Sequence, residues 1–173
     1  ALRLLARGSI DASYRAQSIS GPYGSGKSAL AMYFARLLEK PSMGALRETA
    51  RSCLGELDRQ FLPPDGEGYI PILATGARES LSKCLIDNLK RSLQRSKRKH
   101  LLDSLIWKHN HVMMQGNANS HAVVQVFEEL ARLAVEDEGA LGVVIIVDEL
   151  GKLLEHAALE PGESDLNLLQ EMA

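Results

Sequence analysis

The sequence has 173 residues, of which 45% are hydrophobic, and this is enough for about one domain with a buried core. Its formal net charge of −2 gives no bulk attraction to nucleic acid or to an anionic membrane. No apolar run approaches the roughly 20 residues of a membrane helix, and residues 1–8 lack a signal-peptide core. Cys53 and Cys84 match no metal or redox spacing, so we expect a cytoplasmic protein with two reduced, buried thiols.

The first part of the chain alternates between helical and extended patterns. Residues 1–7 have a helical pattern that Gly8 ends, and residues 15–20 form a short extended stretch that predicts a strand. From Lys27 onward, apolar residues recur at three- and four-residue steps, which predicts a helix that Pro41 stops.

The middle of the chain predicts a helix, a strand and a second, long helix. Residues 44–61 are helical in pattern, and residues 69–75 predict a strand in which Pro71 indicates an edge position, because proline lacks an amide donor. The long helix has one leucine-rich face, formed by Leu81, Leu85, Leu89 and Leu93. Residues 96–120 are the least regular part, with a loop predicted over 115–120.

The last part of the chain predicts a helix, a strand and further helices. The helix is marked by the spacing of Val123, Phe127, Leu130 and Ala134. The continuous Val- and Ile-rich run over 141–147 predicts a strand that is covered on both faces. This alternation of helices and strands predicts an α/β fold with a mainly parallel sheet.

The clearest functional signal is a glycine-rich segment before the first long helix. It reads Gly21-Pro22-Tyr23-Gly24-Ser25-Gly26-Lys27-Ser28 and matches the phosphate-loop pattern G-x-x-x-x-G-K-[ST] at every fixed position. Glycines let successive amides converge on phosphate oxygens, and the following helix adds its positive dipole end. We expect residues 21–29, including Ala29, to bind nucleotide, with Lys27 on the phosphates and Ser28 on Mg²⁺. The alternative is a turn that merely joins a strand to a helix.

A second signal lies at the end of the predicted strand over 141–147, where Asp148 and Glu149 follow the apolar run. An acid at the tip of such a strand can hold Mg²⁺, directly or through water. The adjacent glutamate can orient or deprotonate an attacking water. The alternative is a pair of ordinary surface acids. Beside a phosphate loop, we interpret Asp148 as a metal ligand and Glu149, with Lys27, as catalytic.

These two motifs resemble those of the P-loop NTPase superfamily, with residues 21–28 as Walker A and residues 143–149 as Walker B. The glutamate beside the Walker B aspartate resembles the branch that includes AAA-type, STAND and RecA-like ATPases. Residues 148–155 also resemble a stretch of prokaryotic ATP-binding proteins from multidomain systems, some tied to defence against foreign DNA. The resemblance implies a three-layer P-loop sandwich, with ATP and Mg²⁺ as ligands.

Two departures from the superfamily pattern bear on domain organisation. The motifs stand far apart in sequence, so a helical insertion is predicted around residues 80–120 of a single domain over 1–173. The branch normally has a further central strand whose end supplies a polar sensor residue, and the residues after Glu149 carry only helix signals. We therefore expect this sequence to be a fragment of a longer ATPase, and the start at Ala1 rather than Met agrees with that.

The resemblance leaves two functions open. One is an ATP-hydrolysing motor or switch domain that drives attached domains or subunits, and the acids at 148 and 149 favour it. The other is an interaction module that binds ATP with little hydrolysis, which a missing sensor strand favours. A small-molecule kinase would use the same loop but seldom carries the second acid.

Several further residues have weaker functional signals. Arg78 follows the predicted strand over 69–75 and is either a phosphate or subunit contact or a surface arginine. Lys152 fits a solvated helix position or an ion pair, and the scattered histidines complete no metal set. Basic residues are concentrated over 90–100, which is either a nucleic-acid contact or a solvated helix end.

Overall fold

The protein is mixed α/β and mostly helical in the part of the chain that the structure, a computed structural model, describes. Described are residues 16–40, 44–53, 62–64, 66–115, 119–160 and 165–172. The elements in chain order are α1 (Lys27–Leu38), α2 (Gly44–Cys53), β1 (Ile70–Thr75), α3 (Leu81–Arg95), α4 (Lys99–Lys108), α5 (Asn110–Gln115), α6 (Ser120–Glu136), β2 (Val143–Asp148), α7 (Leu150–Leu159) and α8 (Asn167–Glu171). The helix predicted over 1–7, the second part of the one predicted over 44–61 and the side chain of Cys53 lie outside this description.

Strands β1 and β2 form a parallel pair, the only sheet in the described ranges. Ile70 is in register with Val143, and Thr75 with Asp148, so both strands end at one edge. Even-numbered amides of β1 face β2, because Ile70 donates to Gly142 O at 2.9 Å and Gly76 to Asp148 O at 2.8 Å. The Pro71 nitrogen therefore faces away from β2, as the edge prediction requires.

The main core lies on one face of this sheet. The alternate β1 residues Ile70, Ile72 and Ala74 are buried there, together with the predicted leucine face of α3. Val143, Ile145 and Val147 of β2 pack on the same cluster. The other helical contributions to this core come from α4, α5, α6, α7 and α8, through Leu101, Leu105, Met113, Val123, Leu130, Leu153 and Leu168. Cys84 is a free thiol within this core, as predicted.

Helix α1 belongs to a second, smaller cluster. Its buried residues Phe34 and Leu37 pack with Ala50 of α2 and with Leu62, while the helix also contacts both strands. The end of α1 lies beside the start of β1, where the Tyr69 amide donates to Leu38 O at 2.7 Å. The C-terminal end of α1 is therefore fixed beside the start of β1.

A buried arginine fixes the end of α1. Arg47 of α2 is 0% exposed, and its guanidinium donates to four backbone carbonyls. The acceptors and distances are Leu37 O at 2.7 Å, Glu39 O at 3.0 Å, Pro64 O at 3.0 Å and Glu67 O at 2.7 Å. One side chain thus joins α1, α2 and the segment that leads into β1.

The strand predicted over 15–20 is wrong in its described part. Residues 16–20 are exposed and form no strand. In the stretch Ala-Gln-Ser-Ile-Ser only Ile19 is a large apolar residue, and it remains 48% exposed. A single large apolar side chain offers no face that a sheet could bury.

Two other sequence predictions also differ from the structure. The region predicted as least regular, over 96–120, is largely helical, because Leu101, Leu102 and Leu105 are buried on one face of α4 and Val112 and Met113 are buried on α5. The strand predicted to be covered on both faces is β2, yet each of its residues is only half-buried. In the described part of the chain β2 pairs with β1 alone, so its second edge has no strand partner there.

Candidate functional site

The backbone of the glycine-rich segment is a compact turn that leads into α1. Gly24 and Gly26 have φ of 77° and 81°, in the left-handed region that side chains disfavour. The Ser25 amide donates to Pro22 O at 3.3 Å, and the Leu30 amide donates to Gly26 O at 2.9 Å, which starts the helix. The glycines predicted to shape the loop therefore do so at two of their three positions.

Lys27 folds back over this loop. Its Nζ donates to Gly21 O and to Pro22 O, each at 2.9 Å. The ammonium group therefore lies against the first two carbonyls of the turn, and it has no carboxylate partner in the described residues. Such an arrangement holds a positive charge where an anion would bind.

The N-terminus of α1 is open to a ligand. Its N-cap is Gly26, which makes no side-chain capping hydrogen bond, and the first turn has no acidic residue. The first amides of a helix lack partners within the helix, and the dipole favours an anion there. Ser28 and Ala29 are exposed at this end. Loop amides, helix amides and Lys27 thus combine in one place.

Asp148 is the last residue of β2, and Glu149 is the N-cap of α7. Asp148 Oδ1 accepts a hydrogen bond from the Glu149 amide at 2.9 Å, and within the described ranges Oδ2 has no partner. Glu149 Oε2 is 3.4 Å from Lys152 Nζ, with both side chains about half exposed. Lys152 therefore forms an ion pair with Glu149, which is one of the two roles that the sequence left open for it.

Ser28 and Asp148, the two predicted metal ligands, could bind Mg²⁺ only together with a phosphate ligand. Among the described residues, no group of three or more His, Cys, Asp or Glu could hold a metal ion. The exposed Ser28 hydroxyl and the free oxygen of Asp148 are hard oxygen ligands of the kind Mg²⁺ accepts. Because Mg²⁺ usually keeps water and takes phosphate oxygens, two protein ligands suffice.

The other residues with functional signals mostly make local contacts. Arg78 is exposed and 3.9 Å from Glu155. In the basic cluster, Arg98 is buried, donating to Lys40 O at 2.5 Å and pairing with Glu138 at 3.3 Å. Glu138 also pairs with His100 at 3.0 Å. The exposed cations that remain over 90–100 include Arg91, Arg95, Lys97 and Lys99.

No protein-family model, curated protein or solved structure matches the chain. None of the helices in the described ranges is long and apolar enough to cross a bilayer.

One residue at this edge was missed by the sequence analysis. Gly76 directly follows β1, and its backbone packs on that of Glu149. The available signal was a glycine at the end of a predicted strand, a position where backbones approach closely.

Proposed function

We propose that this chain is a P-loop domain that binds ATP with Mg²⁺ and hydrolyses it, as part of an AAA-like motor or switch protein. The observation that carries the proposal is the loop over 21–28, in which Gly24 and Gly26 adopt positive φ and Lys27 donates hydrogen bonds to the first two carbonyls. A turn that only joins two elements needs neither feature. The three-layer P-loop sandwich belongs to the same proposal, and the parallel strand pair with helix α1 is compatible with it.

Each site residue has a defined role in this proposal. The backbone N–H groups over 21–29, which Pro22 lacks, donate hydrogen bonds to the phosphates, and Lys27 exchanges its two carbonyl partners for phosphate oxygens. Ser28 and Asp148 would hold Mg²⁺, and the ion would supply positive charge against the phosphates. These residues together form a binding site for a nucleoside triphosphate.

Hydrolysis additionally requires a group that acts on water. Glu149 accepts a proton from a water molecule as the water oxygen bonds to the γ-phosphorus, and the bond to the ADP oxygen breaks. The products are ADP and inorganic phosphate. For this step the Glu149 carboxylate must turn from Lys152, and their exposed ion pair costs only about 0–1 kcal/mol to break.

A module that binds ATP but hydrolyses little is the second candidate. The observation that favours it is the exposed, non-strand segment over 16–20, which leaves the phosphate loop anchored by α1 alone in the described ranges. Such a protein would signal by being loaded with nucleotide, through attached domains or subunits. Contact of the basic residues over 90–100 with nucleic acid stays a further prediction.

Calorimetric titration tests the proposed binding. We expect the full chain to bind ATP with Mg²⁺ more tightly than without it, and a comparison with GTP gives the base preference. Steady-state phosphate release then separates the two candidates, because only the hydrolysing domain releases phosphate above the rate of ATP alone. Failure to bind any nucleoside triphosphate would overturn both.

A further inference from the structure

The backbone of Glu149 is held in a conformation that glutamate normally avoids. Its φ of 57° and ψ of 35° lie in the left-handed region, and Lys97 is the only other non-glycine residue with positive φ in the described ranges. Side chains disfavour this region because Cβ approaches the following carbonyl. Such strain persists only where the surroundings impose it, and it is concentrated at functional sites.

Gly76 provides part of those surroundings. This buried glycine donates its amide to Asp148 O at 2.8 Å. A Cβ added at Gly76 would lie 2.4 Å from Glu149 O and 3.0 Å from Glu149 C. Both are backbone atoms, so no flexible side chain could move aside. Glycine is therefore needed at position 76 for close approach to the Glu149 peptide.

The Glu149 carbonyl is also bound from the side of α7. It accepts the Lys152 amide at 3.0 Å, which fixes the first turn of that helix. The added Cβ at Gly76 would also meet Leu153 Cγ at 3.2 Å. The Glu149 carbonyl therefore lies between Gly76, which follows β1, and the first turn of α7.

We propose that Gly76 is a positioning residue for Glu149, which sets the direction of its carboxylate by contact with its backbone. This inference rests on the proposed hydrolysis for its catalytic consequence, while the contact itself is independent of any nucleotide. A side chain at position 76 would shift the Glu149 peptide and turn the carboxylate from the attacking water. The phosphate loop and Lys27 would be unaffected.

The turnover test uses Gly76→Ala in the full chain. We expect kcat for phosphate release to fall about 10- to 100-fold, as a displacement near 1 Å does to a catalytic group, while ATP affinity stays within about twofold. Gly151→Ala is the matched control, because a Cβ there meets nothing within 4 Å and the position is exposed. In a Glu149→Gln background, Gly76→Ala should reduce kcat no further. If Gly76→Ala had the kcat of the parent, the proposal would be overturned. A loss of kcat in the Glu149→Gln background as large as the loss in the parent would overturn it as well.

A second test works without ATP. If the Glu149 backbone is strained, Glu149→Gly should unfold at a higher temperature than Glu149→Ala, the reverse of the order at ordinary positions. Gly76→Ala should lower the unfolding midpoint of the parent and lower it less in the Glu149→Gly background, whose peptide can move. Equal losses would show that Gly76 does not act on Glu149. If this coupling is found and the parent releases no phosphate, the proposed hydrolysis fails, and with it the catalytic consequence, but the contact stands.

Discussion

Lys27 Nζ donates a hydrogen bond of 2.9 Å to the carbonyl oxygen of Gly21, the first residue of the proposed phosphate loop. The lysine side chain thus closes the turn that precedes its own helix. In the absence of a ligand the ammonium group is paired with loop carbonyls, and phosphate oxygens are stronger acceptors for the same group.

Replacement of Lys27 by alanine should therefore cost most of the nucleotide affinity. A hydrogen bond to a charged group is worth roughly 1.5–3 kcal/mol, so we expect the dissociation constant for ATP to rise about 10- to 100-fold. Calorimetry gives the value, and Lys99→Ala, an exposed lysine at the start of α4, is the control. Unchanged ATP affinity in Lys27→Ala would refute the phosphate-loop interpretation.

Ser28→Ala and Asp148→Ala should each weaken ATP binding in the presence of Mg²⁺ and leave metal-free binding largely unchanged. The reason is that both oxygens are assigned to the metal, and Asp148 Oδ2 is free for a ligand within the described ranges. The measurement is the ATP dissociation constant with Mg²⁺ and with a chelator. Equal losses in both conditions would remove these residues from the metal site.

Arg47→Ala should destabilise the fold strongly, because it removes a buried guanidinium that donates to four backbone carbonyls, of which, among the described residues, only Pro64 O keeps a second donor, the Glu67 amide at 3.1 Å. We expect the free energy of unfolding to fall by roughly 3 kcal/mol or more. Urea denaturation measures it, with the exposed Arg91→Ala as control. A change as small as that of the control would mean that the carbonyls find other partners.

Glu129 predicts a pH dependence of stability. A hydrogen bond from Arg132, which has the largest effect, and one from Lys108 lower its pKa from 4.5 to about 2. A carboxylate with a lowered pKa stabilises the fold above its ordinary pKa, and this contribution is lost as the pH falls toward 2. Glu129→Gln should thus be less stable than the parent at pH 7, and the difference should shrink between about pH 4.5 and 2. Chemical denaturation across this range checks it, with the exposed Glu128→Gln as control; a difference independent of pH would contradict it.

The strongly periodic elements were predictable from the sequence. The leucines of α3 recur at the helical period, and the apolar run of β2 has the length of a strand. Both elements lie where they were predicted. The structure of the segment over 16–20 was not predictable, because one isoleucine among polar residues does not decide between strand and loop. Helices α4 and α5 lie within the helical insertion predicted around 80–120, but their bounds were not predicted, because each is short and has few buried residues.

The candidate site was likewise predictable only in part. The motif at 21–28 predicts a local backbone, and positive φ at Gly24 and Gly26 follows directly from it. The packing of Gly76 on Glu149 joins residues that are distant in sequence, and no spacing rule brings them together. Likewise the burial of Arg98 depends on Lys40 and Glu138, so the basic cluster could not be divided into exposed and buried residues beforehand.

The Glu149→Gln variant decides between a hydrolysing domain and a module that only binds ATP. The amide keeps the shape of the side chain and some of its hydrogen bonding but cannot accept the proton from water. Binding should persist, while phosphate release falls by the ~10²–10⁴-fold typical of losing a general base. Asp148→Ala should differ, because loss of the metal ligand weakens binding as well. ATP affinity and phosphate release are measured on both variants in the same full-length protein, with Glu155→Gln, an exposed acid on α7, as the matched control. If Glu149→Gln turns over like a parent that hydrolyses ATP, Glu149 has no part in catalysis, and the nucleotide-loaded switch becomes the better account.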